Sequence, residues 1–237
     1  MSKVSAIGVD GCPAGWIAVH EHGGDFDFVV EEHFEALAER FPTAFIGIDI
    51  PIGLPDKDAR ACDLEARKRL KPRGSTVFPA PLRAAVNASS YEEACAIREK
   101  IEGKRYSRQV WNIMPKIAEV DACLRKNDSV RGRTYEVHPE LSFAHMNQES
   151  PVLHSKRTPE GQEERLGLLT LAWRREWLDA MLSKLEENYH RKDVNADDLI
   201  DAVACLWTAQ RILSWQSGWV GGPEHRDAHD LPMAIYI

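Results

Sequence analysis

A mixed α/β domain is the architecture to expect of this chain, on three grounds. Short apolar runs separated by Gly and Pro turns open the sequence, the pattern of an antiparallel meander. The run AFIGIDI at 44–50 is apolar except for Asp49, as expected of a strand covered on both faces. Later segments carry apolar residues at helical spacing.

Taken in order, residues 3–10 read as a first strand, GCPAG as a turn and Trp16–His20 as a second strand. A turn at His22-Gly23-Gly24-Asp25 leads to a third strand, Phe26–Val30. Phe34, Leu37 and Phe41 mark a helix over 31–41, and Ala44–Ile50 is the next strand. The stretch that follows is charged and mainly helical, with helices expected over 58–70, 91–102 and 109–125; Ile113, Ile117, Val120 and Leu124 form the stripe of the last. We read 1–237 as one domain in which roughly 55–130 is a helical insertion packed on the sheet. TYEVH, Thr134–His138, resumes the sheet. A long helix is expected over 163–187, with Leu166, Leu169, Trp173, Trp177, Met181 and Leu185 on one stripe. Residues 196–213 are apolar nearly all round, which predicts a buried helix lying on the sheet.

The composition is that of a soluble globular chain: 43% hydrophobic and 28% charged over 237 residues. Its apolar stretches fall short of the roughly 18 residues a membrane helix needs. MSKVSAIGVDG has no signal-peptide apolar region, so the expected location is cytoplasmic, with no membrane partner. The five cysteines are scattered and lack a C-x-x-C pair, so neither a disulfide framework nor a zinc ribbon is expected. A net charge of −7 argues against coating nucleic acid by bulk electrostatics. It leaves room for a local basic groove from RACDLEARKRLKPR at 60–73 and REKIEGKRYSR at 98–108, although such runs also serve as solvated helix faces.

Several carboxylates break the local pattern. Asp10 ends the first strand, Asp49 interrupts IGIDIPIG, Glu136 lies within TYEVH, and Asp198 and Asp201 open the apolar helix DDLIDAVACLW. Each has a plain structural explanation: Asp-Gly makes turns, and Asp197 and Asp198 suit a first helical turn. Asp201 is harder to explain that way. It lies one turn deeper on the same face as Asp198, and burying an unpaired carboxylate costs several kcal/mol. Something positive should sit between them. If Asp10 and Asp49 end neighbouring strands, they meet at the sheet edge where α/β ligand sites lie. Several hard oxygen ligands there suit Mg²⁺ or Mn²⁺ better than zinc.

GVDGCPAGWIAV, IDIPIGLP, RGSTVFPAPLR, MPKIAEVD, YEVHPELSF, SKRTPEG and DDLIDAVACLWTA run through nearly the whole chain. On these stretches it resembles a bacterial domain-of-unknown-function family of predicted RNase H-like nucleases, near the Holliday-junction resolvase branch of that superfamily. The resemblance implies an RNase H-like mixed sheet, a three-strand antiparallel meander followed by parallel strands, flanked by helices. It matches Asp10 to the superfamily's first-strand aspartate, and Asp198, Asp201 and Ala202 to the branch's D-x-x-D-A opening. The branch's usual second acidic residue is a glutamate; Asp49 stands there, one methylene shorter, and Glu136 is available to supply the missing reach.

The implied activity is metal-dependent phosphodiester hydrolysis with two Mg²⁺ or Mn²⁺ ions roughly 3.5–4 Å apart. Asp10 would bridge them, Asp49 with Asp198 or Asp201 would complete the coordination, and Glu136 would be an outer ligand or water-positioning base. Lys116, Lys156 and Arg165 are candidate phosphate contacts. His138 and Glu140 share the Glu136 strand face by alternation, and a hydrogen-bonded structural role accounts better for His138. STVFPAPLR either walls the cleft or caps the core of the helical region. The expected partner is nucleic acid, DNA or RNA, with monomer and homodimer both open. The alternatives are a non-catalytic RNase H-like binding or scaffold protein and a phosphohydrolase of nucleotides or small phosphoesters. An actin-like or sugar-kinase-like ATP site fits less well, because GCPAG is the single early candidate loop.

Overall fold

A computed structural model describes residues 4–237, so Lys3 of the expected first strand lies outside the described residues. The meander forms as three antiparallel strands, β1 (Ala6–Cys12), β2 (Gly15–His22) and β3 (Asp25–Glu31). The helix α1 (Phe34–Arg40) then leads to β4 (Phe45–Ile48), which runs parallel to β1. β5 (Thr134–Glu136) lies parallel to β4, and the sheet order is β3-β2-β1-β4-β5.

Side-chain alternation sends the two faces of this sheet to two cores. Ile7, Val9, Ile46 and Ile48 pack with Phe34 and Leu37 of α1 and with Ile117, Val120 and Leu124 of a long helix. That helix, α4 (Arg108–Lys126), follows α2 (Ala61–Arg69) and α3 (Tyr91–Glu102) and precedes the short α5 (Asp128–Arg131). Ser90 and Ser107 cap α3 and α4 by accepting from the amides of Glu93 and Val110, which fixes where each helix starts. On the opposite face, Ala6, Cys12, Ile17 and Val19 pack against the last helix, α9 (Ala196–Leu213).

α9 can lie so close to the sheet because of a paired notch. Gly8 of β1 and Gly47 of β4 are register partners, and a Cβ at Gly8 would stand 2.0 Å from Leu206 N. One at Gly47 would stand 2.6 Å from the Cys205 carbonyl. The helix backbone occupies the space that two side chains would fill.

The structure departs from the expectations in three places. The long helix over 163–187 is two helices, α7 (Pro159–Leu169) and α8 (Arg175–Asn188). Thr170 bonds back to the Gly167 carbonyl, and tight Leu171–Leu168 and Ala172–Leu169 backbone bonds close the first helix. The chain then turns so that Trp173 and Trp177 both pack on Phe26, with ring centroids 5.4 and 5.0 Å away. The apolar spacing survives the break because both tryptophans still reach one core. Secondly, β5 ends at Glu136, and PELSFAHM forms a helix, α6 (Pro139–Met146), begun by a proline at its first turn. Thirdly, two short strands, β6 (Trp219–Val220) and β7 (Ile235–Tyr236), pair near the C-terminus.

About half of the two basic runs is ion-paired where it stands. Arg60, Arg69, Arg98, Arg105 and Arg108 are each ion-paired to a carboxylate. All five cysteines are buried and free. Among the described residues no helix is long and apolar enough to cross a membrane.

Candidate active site

Asp10 and Asp49 come together because β1 and β4 are parallel and in register. Val9 pairs with Ile48, and the Asp49 amide donates to the Val9 carbonyl at 3.0 Å, so each aspartate follows the same rung. Two residues beyond Gly8 and Gly47, they share the face on which α9 lies. Asp201 sits four residues before Cys205, one turn toward the N-terminus of α9. All three carboxylates line one cavity. Asp10 is 8% exposed and Asp201 2%, while Asp49 is half-buried.

The cation found on Asp201 is Lys156, in the segment between α6 and α7, expected as a phosphate contact; it meets Asp201 and Asp197 rather than lying between Asp198 and Asp201. Its ammonium donates to Asp201 Oδ2 and lies 3.8 Å from Asp197 Oδ2. Burial opposes its charge, but Asp201, Asp10 and Asp49 hold it protonated and raise its pKa. One ammonium does not offset three carboxylates. Burial, reinforced by Asp49 and Asp201, holds the Asp10 carboxyl well above the usual range against the pull of Lys156. Burial likewise raises Asp49, with His138 and Lys156 opposing, and raises Asp201 against Lys156. Asp201 Oδ1 is buried without a hydrogen-bond partner, which is costly for a carboxylate oxygen.

The cavity, about 450 Å³, has an acidic floor, a basic rim and one apolar wall. The wall comes from Ile113 of α4 and from Val77, Phe78 and Pro79, so STVFPAPLR does face the cleft. It also caps the core, since Ala80 and Leu82 are buried beneath it. Lys116, Arg73 and Arg157 stand on the lining. Lys116 is partly committed, bonding the Gly15 carbonyl at 2.5 Å and lying 4.4 Å from the centre of the Trp16 ring. His138 also lines the cavity, and its Nδ1 is buried and unpartnered. Sequence reasoning singles out neither Arg73 nor Arg157 as a site residue, although Arg73 ends the basic run 60–73 and Arg157 stands beside Lys156 in SKRTPEG.

Other expected residues are held elsewhere. Glu136 reaches the cavity wall, but Arg60 spans both of its oxygens at 2.7 Å, and the Ile52 amide donates to one at 2.7 Å. Arg60 also pairs with Asp63 at 2.5 Å, making a buried triad that ties β5 to α2. With both oxygens engaged, Glu136 is not free to position a water. Asp198 lies outside the cavity lining and closes a capping box, accepting from the Asn195 amide at 2.8 Å; its carboxyl is pushed up to about 6, by burial first. Arg165 departs furthest from expectation. It is 1% exposed, clamped on Glu140 at 2.6 Å and on the Gly161 carbonyl at 2.7 Å, so it cannot meet a phosphate.

A divalent cation matches the donor set in chemistry. The floor offers only hard carboxylate oxygens, which suit Mg²⁺ or Mn²⁺, and Asp201 Oδ1 is an unused ligand atom. With the side chains as they stand, no group of three or more His, Cys, Asp and Glu among the described residues is placed to hold a metal ion. The cation these carboxylates share is Lys156 Nζ.

Residues 8–225 match a family model whose description is "Protein of unknown function (DUF429)". No curated protein and no solved structure matches the chain.

Proposed function

The chain belongs to this family of unknown function, and from its site we propose a divalent-metal-dependent hydrolase of phosphodiester bonds, a nuclease of the RNase H-like kind. The observation that carries the reading is the convergence of Asp10, Asp49 and Asp201, contributed by two parallel strands and a helix, on one cavity. A meander followed by a helix and parallel strands agrees with an RNase H-like sheet.

In this reading Asp10, Asp49 and Asp201 hold Mg²⁺ or Mn²⁺, which supplies activation of a water and stabilisation of the leaving oxygen. The chain's own contribution is placement. The β1–β4 register fixes the spacing of Asp10 and Asp49, and the glycine notch sets the height of Asp201 above them. Arg157 orients phosphate oxygens at the rim, with the donors that Lys116 and Arg73 have left beside their backbone contacts. His138, on the same lining as Asp49, offers a buried ring nitrogen with no partner of its own to a bound ligand. Val77, Phe78 and Pro79 exclude water on the apolar side.

One observation favours a second reading, a phosphohydrolase of nucleotides or other small phosphoesters. Asp10 and Asp201 lie buried at the floor of a cavity of about 450 Å³, within the range of small-ligand sites. A phosphoester has to enter to reach them, which a nucleotide does more easily than a duplex.

The test is hydrolysis of single-stranded and duplex DNA, RNA, mononucleotides and bis(p-nitrophenyl) phosphate with Mn²⁺ or Mg²⁺, comparing the native protein with Asp10→Asn. The expected result is metal-dependent cleavage of at least one class, abolished in the variant. Inertness toward all of them, or undiminished activity of the variant, overturns the hydrolase reading.

A further inference from the structure

We propose that Lys156 is a built-in counter-ion whose ammonium stands where a divalent cation binds, so that metal entry requires it to swing from Asp201 to Asp197. The inference rests on the metal-dependent reading above.

Asp10, Asp49 and Asp201 bring three carboxylates to one cavity where, among the described residues, a single ammonium, that of Lys156, is bonded to any of them, and Asp201 still leaves Oδ1 buried with no partner. The site is therefore under-neutralised with Lys156 in place, and a doubly charged ion of smaller radius would satisfy it better. The two cations cannot share Asp201 comfortably, because like charges in a poorly solvated floor repel strongly.

The geometry gives the ammonium somewhere to go. Asp197 lies four residues before Asp201, on the same face of α9, and its Oδ2 is already 3.8 Å from Lys156 Nζ. The side chain of Asp197 is 24% exposed and that of Asp201 3%, so the move runs outward toward solvent. Only the side chain has to move. The backbone before Lys156 is pinned by Arg73 on the carbonyls of Leu153 and His154, and by Arg165 on His154. Gly161 packs beneath the Ser155 carbonyl, where a Cβ would come within 2.0 Å. A lysine suits such a role, because its flexible four-carbon stem carries a point charge that can change partners, unlike the planar fork of arginine.

Three measurements test it: Mn²⁺ titration calorimetry on the native protein, Lys156→Met and Lys156→Arg; metal-free melting of each; and amine-reactive labelling of Lys156 followed by mass spectrometry. Lys156→Met should bind Mn²⁺ at least about tenfold more tightly than the native protein and melt at a lower temperature without metal. Lys156→Arg should bind no more tightly than native. Saturating Mn²⁺ should raise the labelling of Lys156 in the native protein severalfold. If Lys156→Met folds and binds no more tightly, or if metal leaves the labelling unchanged, the counter-ion role is wrong while the metal site stands. If neither protein binds Mn²⁺, this inference and the hydrolase reading fall together. Should Lys156→Met fail to fold, the labelling of the native protein decides.

Discussion

Gly8 and Gly47 are direct partners in the parallel β1–β4 ladder, and the backbone of α9 rests in the notch they leave. This pair sets the distance at which Asp201 faces Asp10 and Asp49. A methyl group at Gly8 meets backbone atoms at 2.0 Å, which no side-chain rotation relieves. Gly8→Ala should therefore cost about 3 kcal/mol or more, at the upper end of overpacking effects. Denaturant unfolding of Gly8→Ala and Gly47→Ala measures it, and a folded variant should also bind Mn²⁺ more weakly.

Asp10→Asn should stabilise the metal-free protein while destroying its metal response. Asparagine retains an oxygen to accept the Gly11 amide, which Asp10 Oδ1 does at 2.7 Å, and it removes one of three mutually repelling charges. We expect a melting temperature at pH 8 raised by about 2–4 °C, corresponding to about 1 kcal/mol. Thermal melts with and without Mn²⁺ check both halves, and the trade of stability for function is the expected signature of a binding site.

Glu136 and Asp49 both line the cavity, and they should separate by phenotype. Glu136→Gln weakens one arm of the buried Arg60 triad and should cost about 3 kcal/mol, as breaking buried ion pairs does. Asp49→Asn, which also removes one of the repelling charges, should raise stability slightly and lower Mn²⁺ affinity at least tenfold. Paired unfolding and calorimetric titrations of the two variants distinguish a structural carboxylate from a ligand.

The pH profile of stability follows from the same cluster. Burial raises Asp10, Asp49 and Asp201 in the fold, and Asp198 to about 6, above the roughly 3.9 of an unfolded aspartate. Each such group adds stability that is complete below the unfolded value and is lost as pH rises through the folded one. His20, lowered by burial, acts in the opposite sense, as do carboxylates held low by their partners such as Asp227, but the latter are ionised in both states over most of the range from pH 5 to pH 8. Metal-free protein should therefore melt several degrees higher at pH 5 than at pH 8. Mn²⁺ should narrow the gap, because it binds the ionised carboxylates.

Much of this is legible in the sequence because local chemistry announces it. The meander and the helix over 196–213 follow from turn residues and apolar periodicity. Asp201 stands out because an apolar helix has no local use for a second carboxylate one turn inside it, and the need for a nearby cation follows at once. The identity of that cation does not follow: Lys156 reaches Asp201 across 45 residues, in a segment with no periodicity. Arg60 and Glu136 are 76 residues apart, so nothing local reveals that Glu136 is already spoken for. Arg165 looks like a surface arginine on an amphipathic helix, and only tertiary packing places Glu140 against it. The break after Leu169 is hidden because Trp173 and Trp177 keep helical spacing while the chain between the helices does not.

Whether the carboxylate floor is a metal site is decided most directly by anomalous diffraction from a crystal soaked in Mn²⁺. A peak is predicted on the cavity floor, about 2.1 Å from carboxylate oxygens of Asp10, Asp49 and Asp201, with Lys156 turned toward Asp197. An ordered cavity with no peak there, with Lys156 still on Asp201 at saturating Mn²⁺, would contradict it.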